Sequence, residues 1–159
     1  MSTSHPDWDL RVVTATATAD LRQAVLRPGG MLLPPGEDDP QVHHLGAYDA
    51  AGRLVGCGNV RPDRAPFASK GQHWRVRGMA TAPDLRSRGA GTAVLAGLLE
   101  HARAAGGGLL WCNARIAAQR LYERAGLQTW GKAWVDPDLG PHVVMWRRLE
   151  VAELEVAGR

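Results

Sequence analysis

Cysteine is nearly absent: the chain has two in 159 residues, Cys57 and Cys112. They share no metal-type spacing, and each lies in an apolar stretch. They therefore read as buried, reduced thiols rather than as a disulfide framework or a metal centre. A long apolar run is also missing. No stretch approaches the roughly 20 residues that a membrane span requires. Met1 to Leu10 is polar and lacks the apolar core of a secretory signal, so the expected location is the cytoplasm. No Lys/Arg run marks a nucleic-acid tail, and no basic stripe is interleaved with aromatics, which argues against a nucleic-acid partner. No repeat or low-complexity block appears. The formal charge of +3 is too small to name a partner class; it suits an anionic ligand and a bland surface alike.

What is present is an alternation of strand-like and helix-like segments in a chain of ordinary domain length. The expectation is one domain over 1–159, with a core over 8–149 and frayed or flexible ends at 1–7 and 150–159. Leu10 to Val13 reads as a strand. Thr18 is the predicted cap of a helix through Leu26, with Asp20 in its first turn, and Pro28-Gly29-Gly30 stops it. His44 to Tyr48 and Arg53 to Val60 read as strands joined by the hairpin-type turn Asp49-Ala50-Ala51-Gly52. Trp74 to Thr81 is the next strand. Thr92 to Ala105 has helical periodicity, with Val94, Leu95, Leu98, Leu99 and Ala102 on one face. Leu109 to Asn113 reads as a buried strand, and Ala117 to Ala125 as a short helix that Gly126 ends in the left-handed conformation. Leu127 to Val135 and His142 to Leu149 close the fold as a strand pair. The class is mixed α/β, and a strand–helix–strand crossover implies at least one parallel pair.

The most informative segment runs from Trp74 to Ala105, where a strand, a glycine-containing loop and a helix start follow one another. The first amides of a helix lack internal acceptors and sit at the positive dipole end, which suits phosphate oxygens. Gly89 and Gly91 allow close backbone approach. Arg86 and Arg88 add charge that pairs well with phosphate, and Thr92 adds a hydroxyl. Taken alone, Gly89 and Gly91 also fit a tight turn without a ligand. The segment lacks the Lys-Ser/Thr of a phosphate-binding P-loop and the third glycine of a dinucleotide fingerprint.

Context narrows this reading. Arg86-Ser87-Arg88-Gly89-Ala90-Gly91 matches Arg/Gln-x-x-Gly-x-Gly/Ala, the signature of the GNAT superfamily of N-acetyltransferases. Met79-Ala80-Thr81-Ala82-Pro83 resembles the strand end before it. Ala118 to Leu127 resembles that family's Ala-x-x-Leu-Tyr-x-Lys/Arg-x-Gly-Phe. The resemblance implies a twisted, mostly antiparallel sheet of six to seven strands with a splayed parallel pair, flanked by about four helices. It implies acetyl-CoA as cosubstrate, no metal, and direct transfer of the acetyl group to a primary amine of a small molecule or peptide.

The family's site roles carry over position by position. The backbones of Met79, Ala80 and Thr81 would pair with the pantetheine arm. Arg86, Ser87, Arg88, Gly89, Ala90, Gly91 and Thr92 would hold the pyrophosphate. Tyr122 would be the general acid. Arg124, in the second motif, falls among the cofactor contacts. Where many members carry an asparagine that contacts the pantetheine, this chain has Arg115, with Asn113 two residues earlier; both are candidate cofactor contacts. No carboxylate stands in the Trp74 to Thr81 strand, where some members keep a glutamate. His142 is the base or acceptor-contact candidate, with His43 and His44 weaker. Trp134 and Trp130 are candidate walls of the acceptor pocket, against the commoner fate of tryptophan in a core. The variable loops 34–43, 61–71 and 136–141 are the expected specificity elements. A homodimer through an exposed strand is among the arrangements such folds adopt. The missing carboxylate and Arg115 also fit a second reading, a non-catalytic acyl-CoA-binding regulatory module of the same fold.

Overall fold

The computed structural model describes residues 3–4 and 7–151, with side chains from residue 7 onward. One sheet runs through it. Its strands are β1 (Thr3–Ser4), β2 (Asp9–Val13), β3 (His43–Tyr48), β4 (Leu54–Pro62), β5 (His73–Thr81), β6 (Gly108–Arg115), β7 (Gln128–Asp136) and β8 (Gly140–Leu149). Their spatial order is β1-β2-β3-β4-β5-β6-β8-β7, and every pairing is antiparallel except β5 with β6. The helices are α1 (Ala15–Leu26), α2 (Ala90–Ala104) and α3 (Gln119–Arg124), with single 3-10 turns at Pro83–Leu85 and Ile116–Ala118. The extra strand relative to the sequence expectation is β1, which pairs with Asp9 and Leu10. Of the expected frayed ends, residues 1–2, 5–6 and 152–159 lie outside the described residues. Among the described residues three α-helices form rather than about four; Pro28, Pro34, Pro35 and Pro40 keep 27–42 from making a second helix after α1.

Thr14, not Thr18, caps α1: its side chain accepts from the Ala17 amide. Thr18 lies one turn inside, buried, with its hydroxyl donating to the Ala15 carbonyl. Asp20 is consequently outside the first turn. The 49–52 turn forms as expected. The Asp49 carboxylate accepts from the Ala51 and Arg53 amides, and Gly52 takes a φ of 84°.

The expected α2 face is the main core. Val94, Leu95, Leu98, Leu99 and Ala102 are all buried against Leu45, Val60, Trp74 and Val76 of the sheet. A second cluster, Ala65, Leu109, Trp111 and Val144, lies under the 63–72 loop. That loop packs over β6 and β8: the Asp63 carbonyl accepts from the Trp111 indole. Both thiols are buried, which pushes each up to about 12. Among the described residues no helix is long and apolar enough to cross a membrane.

Two departures from regular pairing place the site. The β5–β6 ladder holds only for His73, Trp74 and Arg75 against Leu109, Leu110 and Trp111. Beyond that rung both strands continue but separate, β5 to Thr81 and β6 to Arg115. Opposite the opening, β5 bulges against β4: Arg77 pairs with Asn59 and Ala80 with Cys57, so Gly78 and Met79 together face Gly58. Gly78 has a φ of 64°, and a β-carbon there would lie 2.8 Å from the Arg22 guanidinium carbon. Only glycine allows the bulge and the buried arginine to coexist.

Candidate active site

The opening between β5 and β6 is the floor of a cleft of about 1090 Å³. On one side it is closed by the loop and helix start that follow β5. Gly89 caps α2 with a φ of 91° and no side-chain bond to the helix. The first amide of α2 with an internal acceptor is that of Ala93, which donates to the Gly89 carbonyl. The amides of Ala90, Gly91 and Thr92 thus lack helical partners, and their residues line the cleft. Gly89 is required by its backbone angle. Gly91 packs closely, because a β-carbon there would stand 3.2 Å from the Thr81 hydroxyl at the end of β5 and would need it to shift by a few tenths of an ångström.

Trp8 fixes this loop from behind, its indole donating to the Arg88 carbonyl at 3.2 Å. Met79, Ala80, Thr81, Arg86, Ser87, Arg120 and Arg124 line the same side. The Arg88 side chain is exposed and outside the cleft lining, and its carbonyl is held by Trp8.

Tyr122 sits on α3, buried, at the floor of the cleft. Burial raises its phenol well above the ordinary 10, with Cys112 adding to the shift and Arg115 opposing it. The hydroxyl therefore keeps its proton at neutral pH.

The other side of the cleft is made of side chains. Arg115 on β6 pairs with His142 on β8, and His142 pairs with Trp134 on β7. Trp134 stacks on the His142 ring at 5.7 Å. The Nδ1 of His142 lies 2.8 Å from the Gly140 carbonyl, which only accepts, so the proton is on Nδ1. The Nε2 atom has no hydrogen-bond partner among the described residues, and His142 lines the cleft. Arg115 donates to the Leu26 carbonyl at the end of α1, 2.8 Å away. Asn113 lines the cleft between Trp111 and Arg115. Trp130 goes elsewhere, stacking on Phe67 at 4.8 Å. Neither tryptophan is core: Trp130 is 46% exposed and Trp134 38%. His43 stacks on His101, and His44 donates to the Glu37 carbonyl, so neither lines the cleft.

Beneath this side lies a charge network that sequence reasoning did not find. Glu37, from the proline-rich loop, takes Arg22 of α1 at 2.6 Å and Arg61 of β4 at 2.7 Å. The Arg22 and Glu37 side chains are 6% and 2% exposed. Burial works to raise the Glu37 carboxyl, but the bonds from Arg22 and Arg61 outweigh it and hold it below the ordinary 4.5. Arg22 reaches the cleft from this network, and Arg75 and Arg77 of β5 line the cleft beside it.

A sequence model of the acetyltransferase (GNAT) family matches residues 15–127, well over half of the chain. The chain belongs to the GNAT acetyltransferase family. This acyltransferase domain is similar to YitI of Bacillus subtilis, described as an uncharacterized N-acetyltransferase. The two are 27% identical over 148 residues, which cover 91% of this chain and 98% of YitI. Its fold is shared with a Corynebacterium glutamicum protein described as histone acetyltransferase HPA2 and related acetyltransferase. There the TM-score is 0.67 at 22% identity, over 94% of this chain and 99% of that one. It is also shared with a GNAT superfamily phosphinothricin acetyltransferase from Sinorhizobium meliloti in complex with AcCoA. In that case the TM-score is 0.68 at 19% identity, over 96% and 95% of the two chains. The mixed sheet with a splayed parallel pair is the fold the sequence resemblance implied.

Proposed function

We propose that this GNAT domain is an N-acetyltransferase that moves the acetyl group of acetyl-CoA directly to a primary amine. The observation that carries the reading is the opened β5–β6 ladder, with partnerless helix amides at one end and Tyr122 at its floor. The pyrophosphate takes the amides of Ala90, Gly91 and Thr92, with Arg86 and Arg124 adding charge. The pantetheine runs along the free side of β5 at Met79, Ala80 and Thr81, and Asn113 faces it from β6.

The amine enters from the His142 side. Its nitrogen bonds to the thioester carbonyl carbon, the amine proton passes to Nε2 of His142, and the carbon–sulfur bond breaks. The Tyr122 hydroxyl gives its proton to the departing sulfur. Holding both reactants in one cleft supplies much of the acceleration, and no covalent enzyme intermediate is needed.

The test is acetyl-CoA consumption with an amine panel, followed as free thiol. Tyr122→Phe is expected to lower turnover by about 10²-fold or more while acetyl-CoA affinity stays within a few-fold. An unchanged rate removes Tyr122 from the chemistry. Acetyl-CoA binding without amine-dependent thiol release would make the chain a binding module instead.

A further inference from the structure

Arg77 stands where the two strands part. Arg75 and Trp111 form the last rung of the β5–β6 ladder, and the Arg75 guanidinium lies 4.7 Å over the Trp111 ring, so both point to the same face of the sheet. Alternation along a strand puts Arg77, Asn113 and Arg115 on that face too, just past the split. This is the face toward α1, because Arg115 reaches the Leu26 carbonyl.

The charges on this face are unequally answered. Arg22 and Arg61 share Glu37, and Arg75 has Asp63 at 3.3 Å. Arg115 is bonded to a neutral carbonyl. Arg77 has no hydrogen bond or ion pair among the described residues, although it is half-buried and faces the cleft. Burial lowers its pKa, the like charges of Arg75 and Arg61 lower it further, and the charge of Glu37 only partly opposes them. Among the described residues Asp136 is the one carboxylate lining the cleft, and its oxygen already accepts from the Asp138 and Leu139 amides.

A half-buried guanidinium with no ion pair of its own, only the more distant charge of a Glu37 already shared by Arg22 and Arg61, is costly unless an anion arrives with the ligand. A bare ammonium, or a polyamine, would bring a like charge to the same place. An amine that carries its own carboxylate brings the missing one. Across the cleft, Met31, Leu32 and Trp134 offer exposed apolar surface.

Resting on the acetyltransferase reading above, we infer that the acceptor is an amino acid with an apolar side chain, whose carboxylate is held by Arg77, with Arg115 adjacent. The amine is then directed toward His142, and the apolar side chain toward Met31, Leu32 and Trp134. Arg77 is the specificity-determining residue.

The experiment pairs each of leucine, methionine and phenylalanine with its carboxamide and its decarboxylated amine, using the wild-type protein and acetyl-CoA. The free acids are expected to lead their partners in kcat/KM by on the order of tenfold or more, the worth of one charged hydrogen bond. Arg77→Gln should raise KM for the acids by a similar factor and leave KM for the carboxamides and for acetyl-CoA unchanged, with Arg77→Lys recovering part of the loss. Carboxamides or decarboxylated amines that match or beat the acids overturn the inference and leave the enzyme activity standing. If no amine is acetylated, the activity reading falls. Calorimetric titration of the CoA-saturated protein with the same pairs then decides: tighter binding of the acids upholds the carboxylate site, and equal binding ends it.

Discussion

The two halves of the cleft are built from different materials. The half proposed for the donor, at the start of α2, is backbone: partnerless amides, a glycine placed by φ and another packed close to β5, and exposed arginines at its rim; the other half is the one proposed for the acceptor. The acceptor half, around Arg22, Glu37, Arg77 and His142, is side chain, assembled from α1, the 27–42 loop, β4, β5 and β8. Main-chain atoms have one set of donors whatever the residue, so the first half can serve a constant ligand. Side chains can be exchanged one at a time, so the second half is where members of such a fold can differ.

The largest way to break this contrast is at Glu37. Replacing it with Gln leaves the Arg22 guanidinium buried without a counter-charge. Denaturant unfolding should then show a loss of about 3–5 kcal/mol. At temperatures where the variant is still folded, acetyl-CoA affinity should hold while KM for the amine rises. An equal loss at both substrates would mean that the halves are not separable.

Gly89→Ala reverses the pattern. Space is not the obstacle, because the nearest atom to a β-carbon there is the Trp8 indole nitrogen at 3.8 Å. The cost is the left-handed backbone, about 1–2 kcal/mol, and it should appear as weaker acetyl-CoA binding with an unchanged amine KM. Calorimetry with CoA alone measures it without turnover.

Acid sharpens the contrast further. Burial holds His44 below its ordinary 6.5, and Glu37 lies below 4.5. In both cases the folded form binds protons less readily than the unfolded chain. The stability they contribute is complete above the unfolded values and is lost as pH falls through the folded ones. Wild-type stability should therefore decline below about 6.5 and again below about 4.5. His44→Asn should shrink the first decline, to which His43 and His101, also held below 6.5 by burial, contribute, and Glu37→Gln should shrink the second. The smallest effect is expected at Arg53, whose bidentate pair with Asp84 is fully exposed. Arg53→Gln should leave the unfolding midpoint unchanged within error.

This division of materials also decides what could be read from the sequence. The α2 face, Gly89, Gly91 and Tyr122 were legible because each signal is local, either a 3.6-residue period or a short motif. Trp134 and His142 were found as candidates, and the β7–β8 register stacks them. Glu37 was not found: an acid in a Pro-rich loop looks solvated, and its partners Arg22 and Arg61 stand 15 and 24 residues away. Trp8 was missed for the same reason, since its bond to the Arg88 carbonyl spans 80 residues. The α1 cap falls at Thr14, one turn before the expected Thr18, where Ala15, Thr18 and Ala19 are already buried.

The opened ladder has one more consequence. From Val76 to Thr81, β5 turns toward β6 a row of amides and carbonyls that no strand answers. On the outer rim of a sheet such a row would be a template for another chain and a starting point for aggregation. Here it is recessed between two strands of the same sheet, and a polypeptide with side chains on both faces is too broad to enter. The fold keeps an unpaired edge in reserve and admits to it only something thinner than a protein.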